Sequence, residues 1–306
     1  MERKPGVLMS GILVTGISGF IGGHVWSMLS EREDVWGIHG ATGSVPLRPD
    51  RQLGVDLSTP SNLSDIVDDI RPDVVLHLAA IARPDVARRH SLLAWKVNNA
   101  ATRELAKTVA KIGGRFILAS TDQVFDGTKG NYREGDPPAP INIYGETKKA
   151  AERVVLANVD NAVVVRVNNT YGPPRFRGGS FSEWILNREA RGETVSLFVD
   201  QYRSPVDVIT VGHTLTELID HTFTGILHVA GSNRINRVNF GKMLLQHLGR
   251  DQNSIFELHA SKVDPEGRMP MDTSFDITLV RQILHTPMPN VNEGLELAYG
   301  PARARY

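Results

Sequence analysis

The chain has 306 residues, 41% of them apolar, and its 34 basic and 34 acidic side chains leave no formal net charge. A balanced chain has no general attraction for nucleic acid or an anionic membrane, and no apolar run approaches the about 20 residues that a membrane span needs. The absence of cysteine excludes disulfides, thiolate catalysis and cysteine metal sites. The ten histidines show no tight ligand spacing, so no metal is expected. Met1-Glu2-Arg3-Lys4-Pro5 lacks the apolar stretch of a secretory signal, and a cytoplasmic location is expected.

In chain order, residues 1–10 read as a tail. Residues 12–15 are a short apolar run before glycines, hence a buried strand. Residues 20–30 carry helical spacing, 35–38 form a second strand, 41–51 a Gly/Pro/Arg-rich loop and 53–55 a third strand. A helix over 62–70 ends at Arg71-Pro72. The near-continuous apolar run 74–78 suits a strand covered on both faces. A long helix over 92–112, a strand at 116–118, a helix over 144–158 and a sixth strand at 162–165 follow. Such alternation predicts an α/β fold, a Rossmann-type doubly wound parallel sheet over residues 11–172. After residue 172 the rhythm changes. Helices over 182–191, 211–221 and 238–248, with short strands near Val195, Leu227 and Phe256, predict a smaller mixed α/β lobe over 173–300. This lobe is read as mainly substrate-binding and interleaved with the end of the sheet. Residues 302–306 read as a tail.

In such sheets ligands bind beyond the carboxyl ends of the strands. The run Gly16-Ile17-Ser18-Gly19-Phe20-Ile21-Gly22 lies there, between a strand and a helix. Small residues let the backbone approach a pyrophosphate, and the helix amino terminus favours its charge. The alternative is a glycine-rich turn in which Gly22 only packs helix on sheet. Asp56, followed by Leu57, is placed to accept from an adenine edge, or to cap. Leu78, Ala79 and Ala80 end the fourth strand beside the same site. An NAD site usually has a carboxylate about twenty residues past the loop. Here Trp36-Gly37-Ile38-His39-Gly40 has none; His39 and Arg48 take that end, with Arg51 nearby. Arginine suits a 2′-phosphate, so NADP(H) is favoured over NAD(H).

Tyr144 and Lys148 are four apart and so share one helix face. A nearby ammonium favours the phenolate and lowers a tyrosine pKa, which suits proton transfer at a carbonyl or alcohol oxygen.

These motifs resemble the extended short-chain dehydrogenase/reductases: the glycine loop, Asp56-Leu57, His77-Leu78-Ala79-Ala80, Val97-Asn98, Ser120-Thr121, Tyr144-x-x-x-Lys148 and Arg166-x-x-Asn169-x-Tyr171-Gly172-Pro173. Within that family, Ser120 to Gly127 and Val199 to Pro205 look most like the dTDP-4-dehydrorhamnose reductases. The chain departs from that group with Met269 for arginine, Gln123 for tyrosine, and Asn169 where tryptophan is common. The resemblance implies reduction of the 4-keto group of a nucleotide-activated 6-deoxy-hexulose. Tyr144 is then the general acid, Lys148 holds the nicotinamide ribose, Thr121 donates to the carbonyl oxygen, and Asn98 props a water and the helix. Structural alternatives are backbone satisfaction for Thr121, helix bracing for Asn98 and a solvated helix lysine for Lys148.

Gln123 argues against sugar dehydration, because the family's dehydratases place a carboxylate there and an amide cannot be that base. Epimerisation stays open. Candidate substrate contacts are Asp122, Gln123, Asn169, Arg175, Arg177, Gln201 and Arg203, since guanidinium forks match a diphosphate; the alternative for Arg175 and Arg177 is a solvated loop. The plan also resembles the methionine adenosyltransferase β subunit, a NADP-binding partner protein. A homodimer through the 92–112 and Tyr144 helices is implied by the family.

Overall fold

The computed structural model describes residues 11–40, 43–59, 63–264, 267 and 269–300. The expected tails at 1–10 and 302–306, positions 41–42 of the loop and position 62 of the second helix lie outside the described residues.

The central sheet has seven strands. Six follow the predicted order: β1 Ile12–Thr15, β2 Val35–His39, β3 Gln52–Gly54, β4 Val74–His77, β5 Arg115–Thr121 and β6 Ala162–Val167. The seventh is Gly225–Val229, the strand expected near Leu227. It pairs parallel with β6, in register Gly225 to Val163. Across the sheet the order is Gly225–Val229, β6, β5, β4, β1, β2, β3, and every pairing is parallel. The order reverses between β1 and β4, which opens a crevice at their carboxyl ends.

Parallel strands buried on both faces need apolar side chains on both. One face stacks Val14, Ile117, Val165 and Leu227, and the other Leu13, Val75, Phe116 and Val164. Helix α1, Phe20–Met28, lies close on the first face. A Cβ on Gly37 of β2 would stand 2.9 Å from the Trp26 ring.

The long helix is interrupted. Ser91–Trp95 passes through a π turn, Lys96–Ala100, into Ala101–Ile112. The helix that carries Tyr144 and Lys148 runs Ile143–Asn158, with the Asn142 carboxamide accepting from the Gly145 N–H. Later elements build a separate apolar cluster that includes Tyr171, Ile185, Val195, Leu244 and Leu295. Four α-helices went unread in the sequence: Pro84–Arg89, Ala260–Val263, Thr278–Ile283 and Val291–Tyr299. The last carries a legible start signal, a capping box between Asn290 and Glu293. Among the described residues, no helix is long and apolar enough to cross a membrane.

Candidate active site

The glycine loop leaves β1 at Gly16, whose φ is +79°. A Cβ there would stand 2.7 Å from the Ala79 nitrogen, and one on Gly22 would collide with the Gly16 carbonyl. Gly16 therefore lets the loops after β1 and β4 touch, and Gly22 lets α1 start beneath them. Gly19 caps α1 without a side-chain bond and is exposed, so the amide end of α1 faces outward. This cradle fits a dinucleotide pyrophosphate.

A buried hydrogen-bond chain fixes the loop of Leu78, Ala79 and Ala80. The Thr102 hydroxyl donates to the Asn98 carbonyl at 2.8 Å. It therefore accepts from His77 Nε2–H at 2.9 Å. His77 Nδ1 is then the acceptor of the Thr15 hydroxyl at 2.7 Å. Thr15 Oγ1 in turn accepts the N–H groups of Leu78 and Ala79, each at 3.2 Å. Burial, then the Lys148 charge, pulls His77 down to about 3, so it stays neutral. His77 is a brace that holds the cofactor loop.

The adenosine end differs from expectation. Arg48 Nη1 donates to the Ser30 and Arg32 carbonyls at 2.8 and 3.1 Å. It thus serves the unpartnered carbonyls after α1, where a cation is favoured, and is corrected from a cofactor contact to a helix-end contact. Arg51 lies 4.9 Å from the Trp36 ring centroid. His39 remains at the end of β2, with Nδ1 2.7 Å from the Gly40 carbonyl. A Cβ on Gly43 would stand 2.9 Å from Ser18 Oγ, so Ser18 and the loop beyond β2 face one another. Asp56 sits two residues past β3, where it accepts the Ser58 N–H at 2.8 Å; that bond holds its carboxyl below the usual range. Leu57 is buried beside it.

Thr121 ends β5, and the helix that carries Tyr144 and Lys148 packs beside it. Thr121 and Tyr144 are both buried, with the phenol beside the Thr121 hydroxyl. Burial pushes the Tyr144 phenol well above its ordinary value, the Thr121 hydroxyl opposes this, and the Asp122 charge pushes it further up. This corrects the expected lowering by Lys148: loss of hydration sets the direction, and Lys148 is not among the groups that act on the phenol. The phenol is held protonated, the form in which it donates. Burial pulls Lys148 down to about 8, against the raising effect of Glu152.

Asn98 sits in the π turn and braces. Its Oδ1 accepts the Ile81 N–H at 2.8 Å. Its Nδ2 donates to the Ile81 carbonyl at 3.2 Å and to Thr147 Oγ1 at 2.9 Å. The Thr147 hydroxyl donates to the Tyr144 carbonyl at 2.8 Å. Asn98 thus braces the Tyr144 helix, as one of its expected roles has it.

The proposed substrate contacts divide. Asp122 and Arg203 are buried and paired with each other, Arg203 Nε to Asp122 Oδ2 at 3.3 Å. Asp122 also accepts from the Thr121 and Thr273 hydroxyls. Arg203 donates to the Tyr202, Met271 and Pro270 carbonyls. Both are corrected to internal ties between β5 and the late chain. Gln201 is also internal; it donates to the Pro270 carbonyl at 3.1 Å and accepts from Arg237 Nε at 3.0 Å.

Gln123 accepts from Asn142 Nδ2 at 2.9 Å, and a Cβ on Gly145 would collide with its carbonyl. It fixes the start of the Tyr144 helix. Asn169 is half-buried; its neighbour Asn168 makes the tie to the late chain, donating to the Thr273 carbonyl at 2.7 Å. Arg175 and Arg177 are exposed and stand near α1: a Cβ on Gly23 would lie 3.1 Å from Phe176 and 3.5 Å from Arg175. They border the cofactor helix instead of the Arg203 cluster.

The sequence reading missed Arg237. It opens the helix Arg237–His247 and lies 4.4 Å from the Phe181 ring centroid. Beyond its Nε bond to Gln201, its two terminal amino groups have no acceptor among the described residues. Burial and the Arg203 charge, opposed by Asp122, pull it down to about 9. Asp122 is ion-paired with Arg203 and not with Arg237. No motif signalled it, because the cluster joins three distant segments.

A doubly wound sheet, a glycine cradle at its crevice and a Thr–Tyr–Lys set define the extended short-chain dehydrogenase/reductase class. The description of the RmlD substrate binding domain matches residues 9–303, and the chain belongs to that family, the dTDP-4-dehydrorhamnose reductase-like branch of the class. The chain is 31% identical to a probable low-salt glycan biosynthesis reductase, Agl14, of Haloferax volcanii, over 92% of this chain and 95% of that one. It is 34% identical to the methionine adenosyltransferase 2 subunit beta of Xenopus laevis, over 74% and 68%. A dTDP-4-dehydrorhamnose reductase of Bacillus anthracis in complex with NADP superposes with a TM-score of 0.83 at 25% identity, covering 95% of this chain and 98% of that one.

Proposed function

We propose that the protein uses NADPH to reduce the 4-keto group of a nucleotide-activated 6-deoxy-hexulose. The observation that carries this reading is the buried Tyr144 phenol, held protonated beside the Thr121 hydroxyl where β5 ends. When bound, NADPH supplies the hydride. Residues 11–172 hold it: Gly16 to Gly22 at the pyrophosphate, Ser18, His39, Asp56 and Leu57 at the adenosine end, and Leu78 to Ala80 along its length. Lys148 holds the nicotinamide ribose. Tyr144 donates to the substrate's carbonyl oxygen and gives up its proton as the alkoxide charge develops, and the Thr121 hydroxyl turns from Asp122 to donate to the same oxygen. Residues 173–300 mainly hold the substrate, with Asn169 beside the sugar.

The open guanidinium of Arg237 supports a diphosphate-linked substrate. It is tied to Thr121 through Gln201, the Pro270 carbonyl, Arg203 and Asp122 in turn. Consumption of NADPH, followed at its nicotinamide absorbance with dTDP-6-deoxy-4-hexulose, tests the reading; no consumption despite tight NADPH binding counts against it. Arg237→Ala should raise KM about tenfold or more, as loss of a charge-assisted bond predicts, with kcat little changed. A fall in kcat at constant KM would place Arg237 elsewhere.

The likeness to the adenosyltransferase β subunit supports a second reading, a NADP-binding partner of another enzyme. Retention of that enzyme on the immobilised chain, with no turnover of any 4-keto sugar nucleotide, would favour it.

We also propose a homodimer through the long helix and the Tyr144 helix. Leu92 is 80% and Trp95 38% exposed on the first, and such apolar faces are commonly covered by a partner. Light scattering at the mass of a single chain would count against it.

A further inference from the structure

Residues 173–178 double back over the first half of α1 and touch it at three points. His24 is 5% exposed, and its Nε2–H donates to the Pro173 carbonyl at 2.9 Å. A Cβ on Gly23 would stand 3.1 Å from the Phe176 ring. Gly178 has a φ of +88°, and a Cβ there would stand 3.0 Å from the Phe20 nitrogen. Gly23 and Gly178 thus permit two close approaches, and Gly178 takes a left-handed backbone that other residues rarely adopt. A loose surface loop would need neither glycine nor the buried imidazole.

This segment sets a cation beside the positive end of a helix. The Arg175 Cβ lies 3.5 Å from where a Cβ on Gly23 would stand. From Gly23 to Phe20 is about 4.5 Å of helix rise, within the reach of the three-methylene arginine stem. Arg175 is exposed and forms no ion pair among the described residues. The first turn of α1 has no acidic residue and no side-chain cap. A bare helix start carries about half a positive charge, so it repels a guanidinium. An anion between the two turns that repulsion into two attractions. The glycine cradle fits one such anion, a pyrophosphate.

We infer that residues 173–178 are a strap that brings Arg175 against the pyrophosphate of the dinucleotide in the cradle, with His24 as its fastening. The inference rests on the cofactor reading and not on turnover. It joins the start of the 173–300 segment to the cofactor helix. A diphosphate also links nucleotide to sugar in the proposed substrate, so the experiment separates the two sources.

NADPH binding is measured by its fluorescence with no sugar nucleotide present. Arg175→Ala should weaken it about tenfold or more, the loss of one charge-assisted hydrogen bond. Arg175→Lys, which keeps the charge, should retain most of the affinity. In about 1 M salt, which screens exposed charges, the gap between wild type and Arg175→Ala should shrink. Equal losses in both variants at every salt concentration would make Arg175 a structural prop and overturn the inference. His24→Phe keeps a ring and removes the donor. It should cost more affinity in the wild type than in Arg175→Ala, because linked residues are not additive; additive losses would remove His24 as the fastening. Unchanged NADPH affinity in Arg175→Ala overturns the strap and leaves the cradle standing, and a raised KM for the sugar nucleotide in that case assigns Arg175 to the substrate's diphosphate. Failure of the wild-type chain to bind NADPH overturns both strap and cradle.

Discussion

Tyr144→Phe should cut turnover by roughly a hundredfold to ten-thousandfold, the range that a positioned general acid contributes, and should leave NADPH binding intact. The substitution removes one oxygen from a residue that is already buried, so the ring keeps its packing against Ala87 and Ala94. What is lost is the donor. Thr121 remains, but its one hydroxyl hydrogen goes to Asp122 at 3.1 Å, and a threonine hydroxyl is far too weak an acid to replace a phenol. Single-turnover kinetics, with NADPH fluorescence to measure binding, separates the two effects. Near-normal turnover would remove Tyr144 from the reaction. Weakened NADPH binding would show instead that the phenol supports the cofactor site.

Arg203→Ala should destabilise the fold by about 3–5 kcal/mol, the cost of leaving one partner of a buried pair alone. Three contributions act together. Asp122 would remain buried with only hydroxyl donors, from Thr121 and Thr273. The carbonyls of Tyr202, Pro270 and Met271 would lose a shared donor. The guanidinium's volume would become a cavity. Chemical denaturation measures this loss. A native denaturation midpoint with a raised KM would return Arg203 to the substrate-contacting role that the sequence suggested.

That contrast shows where sequence reasoning stops. The glycine loop, the six early strands and the Tyr144–Lys148 pair are legible because each is local. A strand followed by small residues and a helix has one common use, and four-residue spacing places two side chains on one face. Arg203 and Asp122 are 81 positions apart, and residue type alone cannot distinguish an arginine waiting for phosphate from one already paired. Arg48 failed for the same reason: it lay near the cofactor in sequence but turned to the carbonyls after α1. The phenol's acidity was misjudged because spacing reveals the neighbouring ammonium and conceals the burial that sets the direction of the shift. His77 was visible as part of a motif, but its role needed Thr15 and Thr102 from two other elements.

The seventh strand carries a consequence for how the protein comes into being on the ribosome. The cradle between β1 and β4 needs only the first 80 or so residues in position, on the order of half a typical domain. The edge of β6 stays bare until Gly225–Val229 arrives to pair with it, and a bare edge invites pairing with other chains. The hydroxyl that completes Asp122's contacts comes from Thr273, near the end of the described chain. A nascent chain therefore acquires its nucleotide cradle early and its reaction chamber last. During the interval, a chaperone able to cover one parallel strand edge has a defined place to act.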